Sequence, residues 1–507
     1  MRPALVHDLL DDRAAVTPDA PALTRSGTSW SYREVVRRSW AAARWLTRLG
    51  AGRGDRVVII GRNDAGIIPL IFGSSRIGAV FVLLSERIPD RHLKHILADS
   101  SPRLVIATPV AAAAARRLAD VPVHLMEDMP EMDDMPGSPE PKAGREAPCL
   151  SIDPACLIYT SGSTALPKAV VSTHRQVTFV VWAIQSRLGY GEEDAVFCCV
   201  PLSFDYGLYQ VFLSTVGGAR LVLGDDSDAG PPLLSRLAAE QITILPLVPS
   251  IAATLCRLAR RSGAGALGGL RMITNTGAEL SAAACAELRS SVPGAAVVAM
   301  FGLTECKRIT IAEPDLDLTR PGSVGRPLPD TEVAVIGADG QRLGPGEVGE
   351  LTVRGPHVMA GYWRAPDLTA ARFRRDQLGQ PVLHTGDLCR LDEDGYLYFV
   401  GRNDDLFKQH GYRVSTTEIE AAAMDVPGVE LAAALPPDQQ HGSRLAVIGE
   451  LTEQQLIKEL QARLELEKLP AEYRVVADLP LSVNGKVDKR ALREGWAQAR
   501  TAASVVS

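Results

Sequence analysis

The feature that most constrains this 507-residue chain is a recurrence of short runs rich in Val, Ile and Leu, separated by stretches with helical punctuation. The runs are VVII from Val57, VFVLL from Val80, LVIAT from Leu104, VFCCVPL from Val196, RLVL from Arg220 and TILPLV from Thr243. Consecutive apolar positions suit strands covered on both faces, and parallel strands need crossover helices between them. The expected fold class is therefore α/β with parallel-rich sheets. The helices carry their own start signals: Ser31 with Glu34, Ser415 with Glu418, and Thr452 with Gln455 each allow reciprocal side-chain bonds to backbone amides. Gly50 is the expected end of the first, and the run Ala111 to Ala115 reads as plain helix.

The chain exceeds what one core needs. After GRNDD, from Gly401, follows a unit of about a hundred residues with its own capped helices. The expected division is a large domain over 1–402 and a small, mobile α+β domain over 403–507. The acidic, proline-rich stretch 127–148 reads as a surface connector. A net charge of -6 and a pI near 5.9 argue against a phosphate-backbone footprint, so no nucleic-acid partner is expected. No apolar run approaches roughly 18 residues, so no membrane span is expected. Eight cysteines lack paired metal or redox spacing, which suits reduced thiols in a cytoplasm.

The stretch LIYTSGSTALPKAVV from Leu157 runs from an apolar strand into Thr160, Ser161, Gly162, Ser163 and Thr164 ahead of Lys168. Hydroxyl and amide donors on a tight turn, with a lysine beyond, can surround a polyanion. A simple Ser/Thr-rich turn is the plainer alternative. The pattern is not GxxxxGK[ST], which disfavours a P-loop NTPase.

Four more segments follow in order: PLSFDYGLYQ at Pro201, MFGLTECKR at Met300, HTGDL at His384 with GRNDDLFKQHGYRVSTTEIE at Gly401, and LSVNGKVDKR at Leu481. With YTSGST they resemble the core signatures of the adenylate-forming superfamily: acyl- and aryl-CoA ligases, nonribosomal-peptide adenylation domains and luciferases. The resemblance runs from about Ser31 to Arg490. It implies that a carboxylate attacks the α-phosphate of ATP to give an acyl-adenylate and pyrophosphate, after which a thiol takes the acyl group.

By the same resemblance, Lys486 bridges the substrate carboxylate and phosphate during attack. Glu305 offers an oxygen to Mg2+, and Thr304 donates to the α-phosphate. Asp387 accepts ribose hydroxyls, Arg402 donates to the sugar, and Phe301 stacks on adenine. Gly277 and Gly302 belong to the nucleotide-binding positions. The Thr160 to Thr164 segment and Lys168 hold pyrophosphate oxygens. Singly, each has a duller explanation: an exposed turn lysine for Lys486, a solvated charge for Glu305, a helix cap for Asp387, a hinge-side ion pair for Arg402. Ala165 and Ala169 stand where the family has glycine, costing roughly 1 to 2 kcal/mol at any site that needs positive φ. His174 is read as a structural histidine.

Asp205 in FDYG matches the aspartate that pairs a substrate ammonium in amino-acid-activating members; a cap for a helix starting at Tyr206 is the alternative. The remaining pocket positions by resemblance are Tyr206, Tyr209, Ser250, Thr274, Thr276, Met300, Arg308 and Ile309. The two tyrosines and the methionine suggest a small side chain. Arg308 either neutralises an acidic or polar substituent or faces away. Asp404 is the expected hinge, and Gly411 the position where a pantetheine arm passes the backbone.

No carrier-protein motif follows the last signature, so transfer in trans to a separate carrier's phosphopantetheine is expected, with CoA as the alternative acceptor. An acyl- or aryl-CoA ligase for an acid without an amine is the competing enzyme reading. A catalytically degenerate nucleotide-binding protein is the competing reading from another class. The expected cofactors are ATP and Mg2+.

Overall fold

The structure is a computed structural model. It describes residues 3–130, 149–160, 166–225, 227–262, 267–402, 406–409, 412–438, 441–482 and 486–503. The 131–148 part of the expected connector lies outside them.

The expected apolar runs are buried strands in two large sheets. The first, six-stranded, is ordered Val123–Leu125, Leu104–Ala107, Arg56–Ile60, Val80–Leu84, Pro154–Thr160 and Lys168–Thr173. Its pairings are parallel except for the last hairpin, where Thr160 faces Lys168. The second, nine-stranded, has a parallel centre of Ala296–Phe301, Met272–Asn275, Ile244–Leu247, Ala195–Cys198, Arg220–Leu223 and Pro21–Arg25. A five-stranded antiparallel sheet joins Glu332–Ile336, Gly349–Arg354, Pro381–Leu391, Phe373–Arg375 and Leu397–Arg402.

The rest forms a hairpin, Leu406–Gln409 with Tyr412–Ser415, and a three-stranded sheet of Val429–Leu435, Arg444–Gly449 and Glu472–Val475. Two hydrophobic clusters built from residues between Phe407 and Trp496 serve this part. Three others, drawn from Val6 to Phe399, serve what precedes it. Among the described residues no helix is long and apolar enough to cross a membrane.

Capping follows the sequence with one correction. Ser31 with Glu34 and Thr452 with Gln455 form reciprocal boxes, and Gly50 takes φ +87 beyond the first of those helices. Ser415 instead accepts from Thr417 N, because Glu418 is drawn to Lys468 Nζ at 2.8 Å. A charged partner distant in sequence outbids the local amide.

Asn63 fastens the two large sheets together. Its side chain is buried and donates to the carbonyls of Val200 (3.0 Å) and Gly224 (2.9 Å), while its oxygen accepts from Leu202 N at 2.8 Å. The loop it holds leads directly into the helix Asp205–Gly217.

Candidate active site

The phosphate-like end is built at the Thr160–Lys168 hairpin. Lys168 Nζ forms an ion pair with Glu305 Oε1 at 3.6 Å, and the hydroxyl of Tyr362 bonds both partners. That hydroxyl accepts from Lys168 at 2.8 Å and donates to Glu305 at 2.5 Å. Burial pulls the Lys168 ammonium below its usual range, with Glu305 opposing the shift. Thr304 sits beside Glu305 in the turn after the strand ending at Phe301. Tyr362 was invisible to sequence reasoning, since its partners lie 57 and 194 residues away.

Ala169 lies in a regular strand, and its methyl is buried in a hydrophobic cluster. It is not among the left-handed residues, so alanine there carries no backbone strain. Ser161, Gly162, Ser163, Thr164 and Ala165 lie outside the described residues.

At the sugar-like end, Asp387 and Arg402 face each other across the last pair of that five-stranded sheet, with Nε 3.2 Å from Oδ1. Asp387 is buried and Arg402 half exposed. A carboxylate beside a guanidinium can accept from a vicinal diol. Phe301 packs near Phe399, ring centroids 5.4 Å apart. Gly302 is needed for a steric reason: a Cβ there would meet the Lys307 carbonyl at 2.2 Å.

Several of the residues expected to line an acid pocket gather around Asp205. The helix begins at Asp205, with Phe204 as N-cap and no side-chain cap bond, so Asp205 is not the capping residue. Its carboxylate is buried, with Lys307 Nζ 4.0 Å away. Lys307 was not singled out from sequence, although it neighbours Arg308 in the CKR segment. Arg308 does not face solvent: its guanidinium sits 5.1 Å from the Tyr206 ring centroid and donates to the Lys307 carbonyl at 2.8 Å. Tyr206 is committed to Thr274, bonding its carbonyl and hydroxyl at 2.8 and 2.7 Å. Thr276, Met300 and Ile309 are buried, and Ser250 lies in the first turn of the helix Pro249–Ser262.

Three buried polar atoms in this pocket have no hydrogen-bond partner among the described residues: Lys307 Nζ, Arg308 Nε and the Tyr209 hydroxyl. Unpaired buried donors are costly, and those on cations most of all. The pocket is electrostatically incomplete and asks for an anionic ligand group. Burial lowers the Lys307 ammonium, with Asp205 opposing.

Lys486 reaches this centre from the far end of the chain. A Cβ on Gly277, which has φ +91, would lie 2.9 Å from Lys486 Cε, and Nζ stands 5.4 Å from the Phe204 ring centroid. Burial lowers its ammonium; Asp205 and Asp387 raise it, whereas Arg308 and Arg402 push it further down. One lysine thus feels both the acid pocket and the sugar-like end. Asp404 and Gly411 lie outside the described residues.

The donor set fits a magnesium nucleotide: a hard carboxylate oxygen and an ammonium at one end, a carboxylate–guanidinium pair at the other. No group of three or more His, Cys, Asp or Glu among the described residues can hold a metal alone. A cation here would take its other ligands from phosphate and water, as Mg2+ does. The buried histidine His174 accepts from Val6 N at 3.2 Å through Nδ1 and lies at the start of its helix, a structural role.

Comparison with known proteins gives the same picture. The family described as AMP-binding enzyme matches residues 10–363. A feruloyl-CoA synthase of Amycolatopsis sp is 31% identical over 95% of this chain and 97% of its own length. A dimodular nonribosomal peptide synthase of Bacillus subtilis is 29% identical over 96% of this chain, which spans only 21% of that protein. VinN, solved in complex with L-aspartate, superposes with TM-score 0.70 and 44% identity, covering 78% of this chain and 98% of that one.

Proposed function

The chain belongs to the AMP-binding enzyme family, the adenylate-forming superfamily of AMP-forming ligases that use ATP to activate an acid, and from that premise we propose that it adenylates an amino acid bearing a second carboxylate. The observation that carries the reading is one buried carboxylate, Asp205, with Lys307 4.0 Å from it and a second buried cation, Arg308, next in the chain, the Lys307 Nζ and Arg308 Nε donors both unfilled among the described residues. An ammonium suits Asp205, and a side carboxylate suits Lys307 and Arg308. The reacting carboxylate is left for Lys486. Aspartate in complex with VinN supports this choice.

In the first step a carboxylate oxygen of the acid attacks the α-phosphorus of ATP, the bond to the bridging oxygen breaks, and pyrophosphate leaves. Lys486 would lie against the attacking carboxylate and the α-phosphate, stabilising charge as it shifts between them. Thr304 would donate to the same phosphate. Glu305 and Lys168 would hold the magnesium-bearing phosphate end; Mg2+, when bound, supplies charge neutralisation there. Asp387 and Arg402 would fix the ribose, and Phe301 the adenine.

In the second step a thiolate attacks the acyl carbonyl and AMP leaves. The phosphopantetheine thiol of a separate carrier protein is the acceptor favoured by the likeness to the dimodular nonribosomal peptide synthase, and free CoA is the alternative favoured by the feruloyl-CoA synthase. The separate cores support a boundary at 402/403, with the smaller unit carrying Lys486.

Exchange of labelled pyrophosphate into ATP, run with aspartate, β-substituted aspartates, neutral amino acids, succinate and aromatic acids, tests the reading. Exchange is expected to be strongest with the amino diacids. Exchange confined to acids lacking an amine would remove Asp205 from its role, and none with any acid would end the reading. Thioester formation with carrier protein or with CoA then separates the two acceptors.

A further inference from the structure

Lys168 and Glu305 are opposite charges close enough to collapse into a direct contact, yet they stand 3.6 Å apart. One oxygen bonds both of them from the side. The Tyr362 hydroxyl has a single proton, which it donates to Glu305 at 2.5 Å, so its oxygen is left to accept from Lys168 at 2.8 Å. The same ammonium lies 4.1 Å from the ring centroid, within the range of a cation–π contact.

The tyrosine cannot readily drift. Residues 360–363 run along the free edge of the strand Lys168–Thr173: Ala360 N donates to Val171 O (3.0 Å), Val171 N to Gly361 O (2.9 Å) and Trp363 N to Ala169 O (2.9 Å). Met359 N donates to the Glu305 carbonyl at 2.9 Å, so the same segment also holds the backbone beneath that carboxylate. The Tyr362 ring is 5% exposed and meets Phe373 edge-on, with centroids 5.5 Å apart. Three elements therefore fix one phenolic oxygen between two charged groups.

We propose that Tyr362 is a positioning residue, a bridge that holds Lys168 and Glu305 as an open ion pair instead of a direct hydrogen-bonded one and so leaves both to face a magnesium nucleotide. This rests on the adenylation reading above. Without the oxygen, the two side chains close into a direct pair. Binding of a magnesium nucleotide must then first break that pair.

The test is Tyr362→Phe, which removes the oxygen and keeps the ring, with circular dichroism confirming the fold. Binding of α,β-methylene-ATP is followed by calorimetry across a Mg2+ titration, with no acid present and no turnover. Half-saturating Mg2+ is expected to rise on the order of five- to tenfold. In a Lys168→Met background the tyrosine has no ion pair to hold open, and adding Tyr362→Phe should leave the titration within about twofold of Lys168→Met alone. An unmoved titration in Tyr362→Phe, or the same fold-change in both backgrounds, overturns the inference. A parent chain that binds no nucleotide analogue overturns the adenylation reading and takes this inference with it, an outcome distinct from the other two.

Discussion

At the scale of single residues, the surroundings of Asp205 are set by charge. Lys307 brings a buried cation beside Asp205 and Arg308 a second one over the Tyr206 ring, and hydrogen bonds to charged groups contribute roughly 1.5 to 3 kcal/mol. Lys307→Met is therefore expected to lower kcat/KM for an amino diacid about 10- to 100-fold in pyrophosphate exchange. A neutral amino acid of the same size should lose far less, since Asp205 would then meet only the substrate ammonium. Equal losses for both acids would show that Lys307 only supports the fold. Gly277 gives a second prediction. Its φ of +91 penalises any Cβ, and that Cβ would sit 2.9 Å from Lys486 Cε. Gly277→Ala should slow adenylate formation at least about tenfold by displacing the lysine, while thioester formation from supplied adenylate is spared. A parallel fall in both half-reactions would contradict that division.

Among elements, the joint that matters is the one between the two large sheets. The six-stranded sheet carries Lys168, the nine-stranded sheet carries the acid pocket, and Asn63 ties the first to the loop that launches the Asp205 helix. Asn63→Leu would remove the Asn63 bonds to Leu202 N and to the carbonyls of Val200 and Gly224, a loss of about 3 kcal/mol in urea unfolding. In the folded fraction, KM for the acid should rise more than KM for ATP. Unchanged stability would show that the loop is held by its backbone alone. The strands themselves were legible because runs such as Val57 to Ile60 are buried on both faces, a demand that consecutive apolar residues satisfy locally. Motif residues were legible as an ordered set, and Lys486 proved to lie in the centre and not on an exposed turn. The illegible parts have partners far along the chain: Tyr362 between Lys168 and Glu305, Asn63 across 137 to 161 residues, Lys468 drawing off Glu418. No local pattern encodes which distant charge will arrive. Lys307 was missed differently, because a lysine beside an arginine reads as a solvated surface until its burial is known.

For the whole molecule, the deciding property is how several buried neutral bases are held at the joints of the larger unit. His7 bonds Ser75 across two helices at 2.9 Å, His174 accepts from Val6, and His357 stacks near Phe179 with centroids 6.1 Å apart. Each is pushed down to about 4 from 6.5, chiefly by burial; Arg76 adds to the shift at His7, while Asp11 there and Asp153 at His174 oppose it. At these three sites the unfolded chain therefore binds up to three more protons than the folded one between pH 6.5 and 4, so their protonation favours unfolding and their contribution to stability falls as pH drops through that window. Each histidine contributes a slope of about 1.4 kcal/mol per pH unit, and three acting independently would approach about 4. Above pH 6.5 this contribution is fully present and flat. Urea midpoints measured from about pH 7.5 to 5 should stay level to near 6.5 and then decline steeply. His174→Gln, neutral at every pH, should remove about a third of that slope even if it lowers stability at about pH 7.5. A level profile down to about pH 5 would mean that these imidazoles are hydrated in solution. The decline has to precede any loss caused by the carboxylates, since Asp225, held near 2 by its bonds to Ser227 and Arg25 despite burial, gives up its share only at lower pH.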